Sequence, residues 1–212
     1  MTAPQLRVLS LGAGVQSTTL ALMAATGEIP APDCAIFADT GWEPRAVYEH
    51  LDRLEAALTY PVYRVSAGNL RDDIEGKHSA RSGRFAAVPW FTRDDKGQIG
   101  MGRRQCTAHY KLEPLARKVR DLLGHNGRGR VRGVVEVLVG ISTDEAARMR
   151  PARVRYMQNV WPLIDLGMSR AACLRWLERA GWHAPKSSCI GCPFHSNTQW
   201  RELRDNAPEE WA

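Results

Sequence analysis

The sequence predicts an α/β fold: a Rossmann-like parallel sheet with helices on both faces, plus a small cysteine-containing insert and C-terminal region. Three observations point there. Short β-branched runs alternate with amphipathic stretches of helical length. The strand candidates are largely apolar, as strands covered on both faces are. Gly27, Gly124 and Gly181 each follow a helical stretch, where a helix stop is expected.

Residues 7–11 read as a buried strand and residues 16–26 as a helix ending at Gly27. Residues 34–37 form the second strand. Residues 44–58 form a helix with Val47, Leu51, Leu54 and Leu58 on one stripe. Residues 62–65 are a third strand, and residues 111–123 a helix opened by Lys111. Residues 134–139 are a strong strand interrupted only by Glu136. Ser169 caps a helix running to residue 180. Two stretches break the rhythm. Residues 76–102 are polar and glycine-rich, a loop or small hairpin insertion over the site. Residues 124–133 set Arg128, Arg130 and Arg132 between glycines, as a solvated loop or a phosphate-contacting one.

The chain has 212 residues, enough for one domain over 1–212, with 183–212 as a C-terminal cysteine-knuckle segment. No apolar run is long enough to span a membrane. The N-terminus lacks the pattern of a signal peptide. Five cysteines, an odd number, argue against a disulfide framework. Reducing cytoplasm is the expected compartment. The formal charge is +6, and 24 of the 29 basic residues are Arg. Either codon bias or a phosphate-binding surface accounts for that. A homodimer is left open.

Ser10, Leu11, Gly12, Ala13, Gly14, Gln16, Ser17 and Thr18 span the first strand end and the following helix start. Small residues let the backbone approach a phosphate, and the helix start offers free N–H groups and partial positive charge. The Gly-Lys-Ser/Thr ending of a Walker loop is absent. The third glycine of the dinucleotide fingerprint is absent too, with Ser17 in its place. A plain tight turn is the alternative.

Gly12-Ala13-Gly14-Val15-Gln16-Ser17 resembles the PP-loop of ATP pyrophosphatases, with Gln16 where that pattern has Asp. The Gly-Val-Gln form resembles the phosphoadenosine phosphosulfate reductase branch. Asp39-Thr40-Gly41-Trp42-Glu43 resembles that branch's Asp-Thr-Gly segment. Gly140-Ile141-Ser142-Thr143-Asp144-Glu145 with Arg148 resembles the stretch after its fourth strand, and Pro162-Leu163-Ile164 the short strand before its last core helix. The resemblance covers nearly the whole chain and implies an adenine nucleotide α-hydrolase-like fold. It implies ATP with Mg2+ over residues 12–18, against Asp39, Thr40, Gly41, Gly140 and Ile141. Lys111 and Arg148 are then the candidate catalytic contacts to phosphate.

Cys189-Ile190-Gly191-Cys192 is a C-x-x-C knuckle, which suits one metal, one cluster or a redox pair. Cys106, with Lys111, Pro114 and Leu115, resembles the Cys-Cys-x-x-x-Lys-x-x-Pro-Leu element of iron–sulfur sulfonucleotide reductases. That resemblance implies a [4Fe–4S] cluster on Cys106, Cys189 and Cys192. Thr107 stands at the matched fourth position, which leaves one iron open toward the nucleotide. Structural zinc, with His109 or His195 as fourth ligand, is the alternative. Cys34 and Cys173 fit plain packing. Trp90 and Phe91 stack on a base or pack under the insertion. Arg148, Arg150, Arg153 and Arg155 form a solvated face or meet an anionic substrate. His50, His78, His125 and His183 are expected on the surface.

By resemblance, the leading expectation is adenylation of an acceptor oxygen with release of pyrophosphate, followed by sulfur transfer from an unidentified donor. A tRNA base, DNA or a small nucleoside would be the acceptor. The runner-up is a sulfonucleotide reductase. Against it stands the absence of a cysteine after Cys192, where those enzymes carry a nucleophilic tail thiol; an interrupted helix at Ala212 leaves a longer natural chain open. A non-catalytic zinc-knuckle protein binding nucleic acid is the third expectation.

Overall fold

A computed structural model describes residues 4–76, 88–125, 127 and 129–211. His78 and Arg128 lie outside the described residues. The elements in order are β1 (Leu6–Leu11), α1 (Val15–Ala25), β2 (Cys34–Asp39), α2 (Arg45–Ala57), β3 (Val62–Ser66), α3 (Leu70–Ile74), β4 (Phe91–Arg93) and β5 (Ile99–Met101). There follow α4 (Glu113–Leu122), β6 (Val135–Val139), β7 (Met157–Val160), α5 (Pro162–Asp165), α6 (Arg170–Arg179), α7 (Asn197–Asn206) and α8 (Pro208–Trp211). Two compact units result. The first runs to Ala38 and adds Arg45–Val65 and Leu115–Ser187. The second comprises Asp39–Pro44, Ser66–Pro114 and Ser188 onward.

In the first unit the sheet order is β3-β2-β1-β6-β7, and β1 pairs in parallel with β2 and with β6, as β6 does with β7. Alternate residues of each strand feed opposite faces, which is why the strand sequences are apolar throughout. Leu9, Leu11, Ala35, Phe37 and Leu138 join Leu20 of α1, Leu51 and Leu54 of α2, Leu163 of α5 and Cys173 and Leu177 of α6. Val8, Cys34, Ile36, Val135 and Val137 face Leu115 and Val119 of α4. Helices therefore cover both faces, as the sequence predicts. Glu136, the one charge in its strand, pairs with Arg7 of the neighbouring β1 at 2.8 Å.

Cys34 and Cys173 are core residues, and burial pushes the Cys34 thiol up to about 11, with Asp33 adding to the shift and Lys118 opposing it. Ser169 caps α6 by accepting from the Ala172 N–H. The Pro162-Leu163-Ile164 strand expected from the resemblance is instead the first turn of α5: proline at the first helical position has its φ preset and lacks only an N–H the helix would not use. His50 is not on the surface but buried. It sits one residue from Leu51 on the stripe of α2 that enters the core.

The second unit holds a small cluster of Leu70, Val88 and Tyr110, against which Trp42, Ile74, Trp90, Cys106 and Cys189 pack. Its two-stranded sheet pairs β4 with β5 antiparallel, so the stretch expected as loop or hairpin contains a hairpin. Residues 77–87 of that stretch lie outside the described residues. The helix expected to open at Lys111 starts earlier. A π-helical stretch, Thr107–Leu112, precedes α4 without a break, so Lys111 is inside a helix rather than at its start.

Candidate functional site

In the first unit the chain order reverses at β1, whose neighbours are β2 on one side and β6 on the other. Ligands of open α/β sheets bind outside the strand ends at such a point. The turn Gly12-Ala13-Gly14 leaves β1 there. The Gly12 and Gly14 N–H groups both donate to Ser17 Oγ, at 3.2 and 3.3 Å, so two backbone donors already converge on one oxygen. Ala13 is buried with φ of +52°, a left-handed conformation that costs a non-glycine residue about 1–2 kcal/mol. Strain of that kind is held where surrounding structure over-determines it, often at ligand clamps. Gly14 has no side chain with which to cap α1, and Ser17 Oγ accepts from its N–H at the positive dipole end of the helix.

The end of β6 closes on this turn. A Cβ on Gly140 would stand 2.8 Å from Ser17 N and 3.0 Å from the Gln16 carbonyl carbon, both backbone atoms. Only glycine allows that approach. A Cβ on Gly14 would meet Ser187 Oγ at 2.3 Å. Ser142 is fully buried behind the turn. Its Oγ accepts from Gln16 Nε2 at 3.3 Å, which also donates to Glu145 Oε2 at 2.9 Å. Arg170 Nη1 donates to Gln16 Oε1 at 3.2 Å, and the Arg170 N–H donates to Asp144 Oδ1. Gln16 is thus fixed by three groups, and a carboxylate from Glu145 lies beside it where the PP-loop pattern would carry its own Asp. Arg148 is tied to Glu145 at 2.6 Å. Arg150 is engaged with the carbonyls of Ala147 and Met149.

Thr18, in the first turns of α1, is fully buried and bonded to His50 Nε2 at 2.9 Å. The His50 ring stands edge-on to Trp182. Burial first, and Arg53 second, lower its pKa to about 4, so the imidazole is neutral at pH 7. Ser142, Glu145, Arg170, Ser187 and His50 were not legible as site residues. Ser142 and Glu145 stood within a recognised motif, but the other three carry no local spacing signal.

The second unit gathers another set. Gly41 has φ of +69°, and a Cβ there would meet Asn69 at 3.0 Å. This turn sends Thr40 inward, where Thr40 Oγ1 donates to Glu43 Oε1 at 3.1 Å and lies 3.3 Å from Cys189 Sγ. Lys111 Nζ donates to the same Glu43 oxygen at 3.2 Å, and Cys189 Sγ at 3.5 Å. Glu43 is 1% exposed. Its other oxygen, Oε2, and the buried Trp42 Nε1 have no hydrogen-bond partner among the described residues. Burial, then Glu43, push the Cys189 thiol up to about 12, against the opposing pull of Lys111. Burial would lower the Lys111 pKa, but Glu43 and the thiols of Cys189 and Cys106 outweigh it and raise it. The knuckle is pinned by Ile190 N–H to Trp42 O and by Trp42 filling the space beside Gly191.

Cys106 and Cys189 border one apolar cluster and both act on Lys111. Among the described residues no three His, Cys, Asp or Glu side chains gather about a point that could hold a metal ion. His195 Nε2 is engaged with Ser188 Oγ at 2.7 Å, and His109 lies 4.0 Å from Glu113. Among the described residues no helix is long and apolar enough to cross a membrane.

No protein-family model matches the chain, and no curated protein matches its sequence. Among solved structures it is similar to the crystal structure of phosphoadenylyl-sulfate (PAPS) reductase from Candida auris in a phosphate complex. The TM-score is 0.53 at 18% identity, over 86% of this chain and 76% of that one. A likeness at that identity shows the fold, a five-stranded Rossmann-like α/β fold shared with the reductase.

Proposed function

We propose that the chain is a PP-loop type enzyme that binds ATP at the turn after β1 and transfers its adenylyl group to an oxygen of a nucleic acid or nucleoside acceptor, ahead of sulfur insertion. The observation that carries this reading is the contact of Gly140 with the backbone of Gln16 and Ser17. Gly140 admits no side chain there, and beside it the Gly12 and Gly14 N–H groups converge on one oxygen at the strand switch point. The fold is shared with a reductase solved as a phosphate complex.

In this reading the Gly12 and Gly14 N–H groups and the start of α1 hold the phosphates and stabilise charge that builds on them. Arg170, fixed on Gln16, adds a cation, and Glu145 is the carboxylate that would hold Mg2+. The acceptor oxygen attacks the α-phosphorus, and its bond forms as the bond to pyrophosphate breaks. A sulfur nucleophile then displaces AMP from the activated carbon, forming C–S and breaking C–O. Cys106, Cys189 and Cys192 are the residues that would hold an iron–sulfur cluster. Thiolates are the ligands such a group takes, and Cys106 and Cys189 border one apolar cluster, although the three thiols do not gather about one point. When bound, the cluster would supply the sulfide chemistry of the second step.

Incubation with ATP, Mg2+ and pooled nucleic acids tests the proposal. Pyrophosphate and AMP that form only with acceptor support it, whereas ADP and inorganic phosphate contradict it. The fold likeness favours a second reading, sulfonucleotide reduction. Sulfite release from PAPS with a dithiol reductant, and no pyrophosphate from ATP, would select that one.

A further inference from the structure

Every residue of the β4–β5 hairpin is exposed, and the chemistry above leaves it unused. Its register places Phe91 opposite Met101 and Arg93 opposite Ile99, so these four side chains share one face. Phe91 is 64% exposed, Ile99 70% and Met101 44%. Water-facing apolar side chains grouped in this way mark an interaction surface.

The ribbon is rooted rather than loose. The Gly102 N–H donates to Trp90 O at 2.9 Å, and Trp90 packs against the Leu70, Val88 and Tyr110 cluster. Asp94 Oδ1 accepts from the Lys96 and Gln98 N–H groups and so builds the tip. That use turns one of the two hairpin acids into the turn, while Arg93, Lys96, Arg103 and Arg104 remain as cations around the apolar face. The Arg104 guanidinium lies over the Phe194 ring at 5.3 Å, and that ring is 51% exposed.

We propose that this face of Phe91, Arg93, Ile99 and Met101, together with the Arg104–Phe194 pair of the same unit, binds single-stranded nucleic acid. Rings and the stacked guanidinium take unstacked bases, and the arginines take phosphates. Base faces buried in a duplex are not offered to such a ribbon, so single strands are the preferred form. The chain's charge of +6 favours a polyanionic partner over a neutral apolar one. The inference deepens the proposed function, since it rests on the reading that the acceptor is a nucleic acid.

Fluorescence anisotropy tests it with the full chain, labelled single-stranded RNA and DNA of one sequence, and the matching duplex. Single strands should bind more tightly than duplex, and the RNA and DNA arms show which the protein prefers. Phe91→Ala should weaken binding about tenfold, and Phe91→Trp should restore it. Arg93→Ala and Arg104→Ala should each make the salt dependence shallower by about 0.7 in log–log slope. These side chains are exposed, so the circular dichroism and ATP affinity of the variants should be those of the parent. Wild-type failure to bind single strands, or equal binding by Phe91→Ala, overturns the proposal. So does tighter binding of duplex. Binding to anionic lipid vesicles alone, or self-association abolished by Phe91→Ala with no effect on oligonucleotide, also overturns it and identifies a membrane or a second copy instead. Oligonucleotide binding is read without ATP. A protein that binds strands through Phe91 but releases no pyrophosphate would refute the adenylation reading and leave this surface standing.

Discussion

Gly140 and Gly12 both border the turn after β1, yet they differ sharply in what a methyl group would meet. At Gly140 it would meet main-chain atoms of α1 at 2.8–3.1 Å, whereas at Gly12 it would meet only Ser17 Oγ, at 3.7 Å. Gly140→Ala must therefore push α1 away from β6. It is expected to weaken ATP binding at least tenfold in calorimetric titration, while Gly12→Ala stays within about threefold. His50 carries a second residue-scale prediction. Its folded pKa is lowered to about 4 from the ordinary 6.5 by burial and Arg53. Between those values the unfolded chain takes up a proton that the native chain refuses. Stability attributable to His50 is thus present above pH 6.5 and is lost as pH falls toward 4, by about 1.4 kcal/mol per pH unit at most. Urea denaturation of wild type and His50→Gln at pH 7 and pH 5 measures it, and the variant should lose less on acidification. The glycines of the turn were legible in sequence because a strand–glycine–helix order is a local pattern. His50 was not, because a single histidine beside Leu51 reads the same whether it faces solvent or Thr18.

Among the elements, the π-helical stretch Thr107–Leu112 has the most consequence for chemistry. Its wider turn replaces the α-helical spacing over Lys111, whose ammonium reaches the buried Glu43. Removing Lys111 leaves a carboxylate 1% exposed without its cation. Lys111→Met should destabilise the protein by about 2 kcal/mol, below the range for fully buried pairs because Lys111 itself is partly exposed. Adding Glu43→Gln should recover most of that loss, as a thermal melt of the three variants would show. Equal additive losses would show that the pair is not coupled. Hydrophobic periodicity located this helix but missed its start and its hydrogen-bonding pattern, since π and α turns bury the same residue types. The Ser169 cap and α2 were legible from local chemistry. Pro162-Leu163-Ile164 was not, because a three-residue apolar run after tryptophan fits a strand or a proline-started helix equally.

At the scale of the whole molecule, the order β3-β2-β1-β6-β7 follows from parallel strands joined through helices, which the alternation of apolar runs and amphipathic stretches made legible. Two long-range partners of the turn were not legible, since Ser187 and Arg170 reach it only through topology. The cysteines divide along the same line. Cys34 and Cys173 are core side chains, while Cys106 and Cys189 border the cluster that also holds Trp42. Protein purified without oxygen should therefore lose bound iron and visible colour in each of Cys106→Ser, Cys189→Ser and Cys192→Ser, and keep both in Cys34→Ser. Iron retained in all three would remove the cluster from the account. The central claim is a phosphate cradle at the end of β1, and the most direct measurement is calorimetric titration of ATP into wild type and Gly14→Val. The valine side chain would collide with Ser187 within the turn. Wild type is expected to show a single ATP site, lost in a folded Gly14→Val protein. Equal ATP affinity in the two proteins would contradict the claim.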